Sequence, residues 1–448
     1  MISMPSENLR VASSSDNSVP VACRPSKRHL VVCVVVVAAV FTRNKTFDAG
    51  KTCDAKRMAR AKRDIGLTNA KLDEMRRKGD PVADRAVEAV FNRNGVSAVN
   101  AVMQTLVRVD QPVPAELPPE VQQYLQDTVD LPEWADLGKI ERGQQLFEVF
   151  GFQITLCLFC ASLPSSYAAA KAVKVLYLTA QLDTNTRRRV LETGQFLIDV
   201  LSAGSLDEDG KGRRTIQKVR LMHAAVRLLI RERGKQQPKL WHRDWGTPIN
   251  QEDLLATLLV FWFVVGEPMR RLGVEVSSED QDAYLHLWNV IGHQLGVRDE
   301  LLVFDVAQAN ALVDLIRSRH FKASPEGHDM TRALLVLLDQ LTPSHRFDDT
   351  IPPLIRHLIG DKTADLLLVP RSDLGGEVRR IEHITNWFYV HVFGRPDKGD
   401  SARYELVLDI VRPFGRDLLR GLFELERGGE RAPFALPDRL ARNWELST

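Results

Sequence analysis

From Leu72 onward, apolar and polar residues alternate at the three- and four-residue spacing of helices, and the chain keeps that rhythm over most of its length. Gly79-Asp80-Pro81 ends a first helix. Further helices are predicted over 84–91, 98–107 and, after a linker carrying Pro112, Pro114, Pro118 and Pro119, over 120–130. The most apolar stretch, 143–163, is hydrophobic nearly all round, which predicts a buried central helix. It contains Cys157-x-x-Cys160; one such pair without a second is a poor metal signal, so both thiols are read as small core residues. Helices at 165–180 and 184–203 follow. On the second, Arg189, Thr193, Phe196, Leu197 and Val200 share one face, so Arg189 points inward, where it needs an anionic partner, while Arg187 and Arg188 read as a solvated basic end.

The rest of the chain is organised around residues 218–230. In a helix, Ile216, Val219, Met222, Val226, Leu229 and Ile230 form one apolar stripe, and His223 lies on it. A buried imidazole without a partner costs roughly 1–3 kcal/mol, so His223 is either a hydrogen-bonded core residue or a ligand. Ala224 and Ala225 beside it would let a flat group approach. Beyond it, Asn250 with Asp253 caps a helix at 254–272, and Ser278 with Gln281 opens one at 283–296 that carries His286 and His293 on one face. Two histidines lack the further ligands of a structural metal site and are read as core residues. Helices at 305–320, from Ser324-Pro325-Glu326, at 354–368, 377–393 and 404–424 complete an all-α pattern with no fixed repeat.

Composition changes this picture little. The chain has 448 residues, 44% of them hydrophobic, enough for one large domain. Sixty basic against fifty-eight acidic residues leave a net charge of +2, too small for a dedicated nucleic-acid binder. Five cysteines make no disulfide framework, which favours a reducing, cytoplasmic setting. Residues 1–67 form a polar extension interrupted by an apolar run at 30–41, too short to span a bilayer, though secretion or membrane contact through it is the alternative. A helical domain over 68–430 and a tail over 431–448 complete the division. No glycine-rich phosphate loop, His-Glu-x-x-His or Gly-x-Ser-x-Gly is present.

Taken together, Arg189-x-x-x-Thr193, the segment 218–227 around His223, Trp245-Gly246-Thr247-Pro248-Ile249-Asn250-Gln251-Glu252-Asp253 and Tyr284-Leu285-His286-Leu287-Trp288 resemble one family. It is the family of the latex clearing proteins, which are rubber oxygenases, and of the fungal side-chain-cleaving oxygenase of mycophenolic acid synthesis. The resemblance runs from about Leu72 to about Arg371. It implies a globin-like helical core with extra helices around one b-type haem, with His223 as the iron ligand and Arg189 and Thr193 beside the haem. Arg189 would pair a propionate or, with Thr193, act in catalysis. It implies a haem-dependent oxygenase that uses dioxygen to cleave a carbon–carbon double bond of an apolar, isoprenoid-like or lipid-like substrate. Two positions depart from the family pattern: Glu192 stands where the rubber enzymes carry a lysine, and Val173 where they carry a glutamate base. A haem-binding redox or oxygen sensor without turnover, and a cofactor-free helical scaffold, are the alternatives.

Overall fold

The computed structural model describes residues 66–105, 117–179, 185–208, 210–341 and 351–371. The N-terminal extension with its apolar run, the helices expected at 377–393 and 404–424, and the tail lie outside them. Among the described residues helix follows helix, and the sole β feature is a bridge between Ala169 and Phe321.

Helix α1 (Asn69–Met75) opens on Thr68, whose hydroxyl accepts from the Lys71 amide. α2 (Pro81–Thr105) joins the two helices expected at 84–91 and 98–107 across a kink at Gly95, where φ is 68°. α3 spans Pro119–Asp127 and α4 Leu137–Cys157, the latter starting earlier than the apolar run because Asp136 caps it. α4 runs on through a π-turn, Leu158–Ser162, into α5 (Leu163–Tyr167). The helix expected over 165–180 is broken: the chain leaves α5 to pair Ala169 with Phe321 before α6 (Val173–Thr179). α7 (Asn185–Leu201) and α8 (Lys211–Gln236) follow.

Asn250 caps α9 (Gln251–Trp262), as the sequence predicts. The helix expected to reach Leu272 instead stops at a 3-10 turn and Gly266, and resumes as α10 (Glu267–Arg271), with Pro268 fixing the new start. α11 (Ser278–Gln294) is capped by Ser277, one residue before the expected cap. α12 (Val306–His320) is capped by Asp305, α13 spans Pro325–Leu341, and a left-handed Gly360 (φ 80°) divides the helix expected at 354–368 into α14 (Ile351–Ile359) and α15 (Asp361–Leu366).

Two apolar clusters form the core. The larger is built around α4 packed on α11, where Gly143 lets the backbones close: a Cβ there would stand 3.0 Å from the Leu287 side chain. The smaller packs α2 and α3 on the second half of α8. α8 belongs to both. Ile216 and Val219 enter the larger cluster, and Leu221, Ala224, Ala225, Leu228 and Leu229 the smaller, so the single stripe expected is too narrow: α8 is buried on nearly every side. Met222 and Ile249 pack against both clusters and mark the seam.

Buried polar clamps fix α8 in place. Arg220 grips Asp80 with two hydrogen bonds, Nε to Oδ2 at 2.6 Å and an Nη to Oδ1 at 2.9 Å, and Arg227 pairs with Asp84 one turn on. The Tyr124 hydroxyl donates to the Gln217 carbonyl at 2.9 Å, and the Gln217 amide returns a bond to the Leu125 carbonyl at 2.7 Å. Removing one partner of such a buried ion pair costs about 3–5 kcal/mol, because the other charge is left buried and uncompensated.

Candidate functional site

A cavity of about 230 Å³ lies at the seam between the clusters, partly open to solvent. His223 lines it from α8, with Met222 and Val226. Val175, Leu176 and Thr179 come from α6, Arg188, Arg189 and Glu192 from α7, and Ile249, Asp253 and Leu254 from the segment entering α9.

The segment 245–253 that carries Ile249 and Asp253 is held from below. Gly246 is left-handed (φ 82°) and lies on the Arg76 carbonyl, where a Cβ would come within 2.5 Å. The Thr247 amide donates to that carbonyl at 2.9 Å and its hydroxyl to the Arg77 carbonyl at 3.0 Å. Ile249 has φ 50°, a conformation that strains a β-branched residue. Strain of this kind, about 1–3 kcal/mol, persists where surroundings over-determine it. Here Arg227 donates to the Pro248 carbonyl at 3.1 Å and the Ile249 carbonyl at 2.9 Å, and the Asn250 cap fixes the next residue. Asp253 is then tied to Arg76 at 3.0 Å and to the Asn250 amide at 2.7 Å.

His223 is the cavity's only imidazole among the described residues. Its Nδ1 is enclosed without a hydrogen-bond partner, so of the two readings the hydrogen-bonded core histidine is not what is found. Burial, with some help from the Arg227 charge, lowers its pKa to about 4, which keeps the ring neutral and a lone pair available at neutral pH. Ala224 and Ala225 do not shape the cavity. They turn into the smaller cluster, and the approach to His223 is set by Met222 and Val226.

Arg189 points inward, as its spacing predicts, but its partner is not a carboxylate. It donates to the Leu176 carbonyl at 2.7 Å and the Thr179 hydroxyl at 3.0 Å, both at the C-terminal end of α6, and forms no ion pair among the described residues. Burial pulls its pKa down. Thr193 does not line the cavity; its hydroxyl donates back to the Arg189 carbonyl at 2.9 Å. Arg188, expected in solvent, lines the cavity and pairs with Glu192 at 2.8 Å. Burial raises the Glu192 pKa against the pull of Arg188, and it raises the Asp253 pKa against that of Arg76. Arg189 thus presents a guanidinium at the cavity that no carboxylate contacts among the described residues.

The other candidates fall elsewhere. Position 173 is a fully buried valine. Cys157 and Cys160 are free and buried, their pKa values raised by desolvation, that of Cys160 to about 12. His286 accepts from the Asp136 amide at 2.8 Å, and the His293 ring meets Asp299 at 2.5 Å. Among the described residues no cluster of three or more metal-binding side chains exists, and no single helix is long and apolar enough to cross a membrane. From the sequence, Arg188 is expected in solvent, Glu192 departs from the family pattern and Asp253 belongs to a helix cap. A seven-residue spacing from Arg189 to Phe196 signals which α7 face is inward, but only the packing reveals that Arg188 and Glu192 share the cavity.

The donor set suits one iron-bearing macrocycle. It offers a neutral imidazole with an unpaired nitrogen, a guanidinium bonded to no carboxylate for an anionic substituent, and an apolar wall of Val175, Leu176, Met222, Val226 and Leu254. The enclosed space is smaller than the roughly 300–1,000 Å³ of pockets that enclose whole ligands, so a macrocycle on His223 would extend past it to the open side.

Residues 155–388 match the family described as the catalytic domain of ER-bound oxygenase mpaB/B' and rubber oxygenase. The chain is 30% identical over 302 residues to the rubber oxygenase of Streptomyces sp. (strain K30), covering 67% of this chain and 69% of that protein. Its fold is similar to a solved structure of latex clearing protein in the closed state, with a TM-score of 0.62 and 24% identity across 81% of this chain and 95% of the other.

Proposed function

The chain belongs to the family of mpaB-type and rubber oxygenases, and on that footing we propose that it is a haem-dependent oxygenase cleaving a carbon–carbon double bond in an apolar unsaturated substrate, polyisoprenoid or lipid. The observation that carries this reading is the unpartnered, neutral imidazole of His223 at a cavity between two apolar clusters. His223 would hold the iron, and Arg189 would bind a propionate. When bound, the haem supplies an iron at which dioxygen is activated towards the double bond. One dioxygen per double bond balances the reaction, each carbon leaving as a carbonyl.

This chain's own residues set the conditions. Val175, Leu176, Met222, Val226 and Leu254 keep the wall apolar and exclude water from the reacting carbons. Glu192, whose acidity burial weakens, can hold or return a proton at its carboxyl, a role the buried Val173 cannot fill.

The test is an absorption spectrum of the purified, haem-supplemented protein, with oxygen uptake in the presence of an unsaturated lipid. The expected result is a Soret band and lipid-dependent uptake, both lost in His223→Phe. A protein without a Soret band, or one whose band survives that substitution, refutes the assignment.

A further inference from the structure

Helix α6 is a partition with a chamber on each side. Val175, Leu176 and Thr179 face the His223 cavity, whereas Lys174, Tyr177 and Leu178 face a second space of about 600 Å³. The far wall of that space is the segment 237–240 that follows α8, with Trp245 and, from α13, Glu326. Its volume is well within the range of pockets that enclose a whole ligand.

The lining has two characters. Tyr177, Leu178, Pro238, Leu240 and Trp245 offer aromatic and aliphatic surface. The charged groups are Lys174, Lys239 and Glu326. Lys174 is spent: it pairs with Glu326 and sits 4.5 Å above the Trp245 ring. Lys239 is exposed at the rim and, among the described residues, makes no hydrogen bond or ion pair; the Gln237 side chain beside it makes none either. One balanced pair and one unspent ammonium leave the chamber with a net positive charge at the edge of an apolar interior. A neutral hydrocarbon gains nothing from that charge, and a sugar or nucleotide gains little from those walls.

We infer that this chamber binds a long aliphatic chain with a carboxylate head, the chain lying along Leu178, Leu240 and Trp245 and the head meeting Lys239 and Gln237 at the rim. The inference deepens the proposed function by naming a substrate class, and it rests on that reading.

The experiment measures affinity by displacement of a fluorescent fatty-acid analogue from the full chain at low ionic strength. The probes are oleate, below its aggregation concentration, and oleyl alcohol, which has the same chain without the charge. Oleate is expected to bind about three- to tenfold more tightly than the alcohol. Lys239→Glu should erase that preference while leaving the alcohol unchanged, because Lys239 is exposed and supports no other residue. Leu178→Trp should fill the chamber and weaken both probes by about tenfold or more. His223→Phe should leave oleate affinity unchanged, so that binding here and haem chemistry there stand or fall separately. Equal affinity for acid and alcohol, an unchanged preference in Lys239→Glu, or undiminished binding in Leu178→Trp would overturn the inference.

Discussion

Glu252 stands one residue before the cavity wall at Asp253, its side chain wholly buried, and two guanidinium groups and an imidazole converge on it. Oε1 meets the His320 ring at 2.7 Å and Arg319 Nε at 2.8 Å, and Oε2 accepts from Arg76 at 3.2 Å, so one carboxylate ties α1, α9 and α12 together. Burial alone would raise its pKa, but the hydrogen bonds from His320 and Arg319 more than reverse this and bring it from 4.5 to about 2. At roughly 1.4 kcal/mol per pH unit, that difference is worth about 3 kcal/mol of folding stability. Glu252→Gln keeps the shape and removes the charge. Arg76 retains Asp253 and Arg319 retains Asp73, which holds the loss near the lower end of the 3–5 kcal/mol typical of broken buried pairs. Because the folded pKa lies below the unfolded one, the contribution is complete above pH 4.5 and drains away as pH falls towards about 2. Urea unfolding followed by circular dichroism should therefore show a gap of about 3 kcal/mol between wild type and variant at pH 7, narrowing steadily below pH 4.5. A gap under about 1 kcal/mol at pH 7, or one of constant size down to pH 3, would refute the hub.

Further outcomes follow from the same geometry. Gly246→Ala places a Cβ against the Arg76 carbonyl at a left-handed φ and should cost about 1–3 kcal/mol, read as a lowered melting temperature; an unchanged melt would mean the 245–253 segment is not fixed from below. Arg189→Met should weaken haem retention about tenfold or more in a haem-transfer assay, whereas Thr193→Val, whose hydroxyl is spent on the Arg189 carbonyl, should change it less than twofold; the reverse order would reassign the polar roles.

Much of the fold is legible in the sequence because its signals are local. Helical spacing, the cap at Asn250 and the proline start at Pro325 act within a few residues, and the structure keeps them. The breaks are less legible, since what interrupts the chain after α5 is a pairing with Phe321, far along the sequence. The same limit applies to the cavity. The period of α8 puts His223 inside, but not its missing partner, and a small residue such as Ala224 reads alike whether it clears a path for a ligand or packs on another helix. Arg189 is legible as inward-facing. That it bonds a helix end in place of a carboxylate depends on α6, which arrives from another direction.

The π-turn at Leu158–Ser162 has a consequence for how this chain tolerates changes in its length. Each residue of a regular helix advances the next by about 100°, so the looser winding there resets the angular phase of everything after it. That phase sends Ser166, on α5, to the cavity. Five residues wound at about 80° carry the chain nearly as far round as four at about 100°, so a deletion of one codon within the turn would restore ordinary winding and leave α5 almost unrotated, with the same side chains facing the cavity.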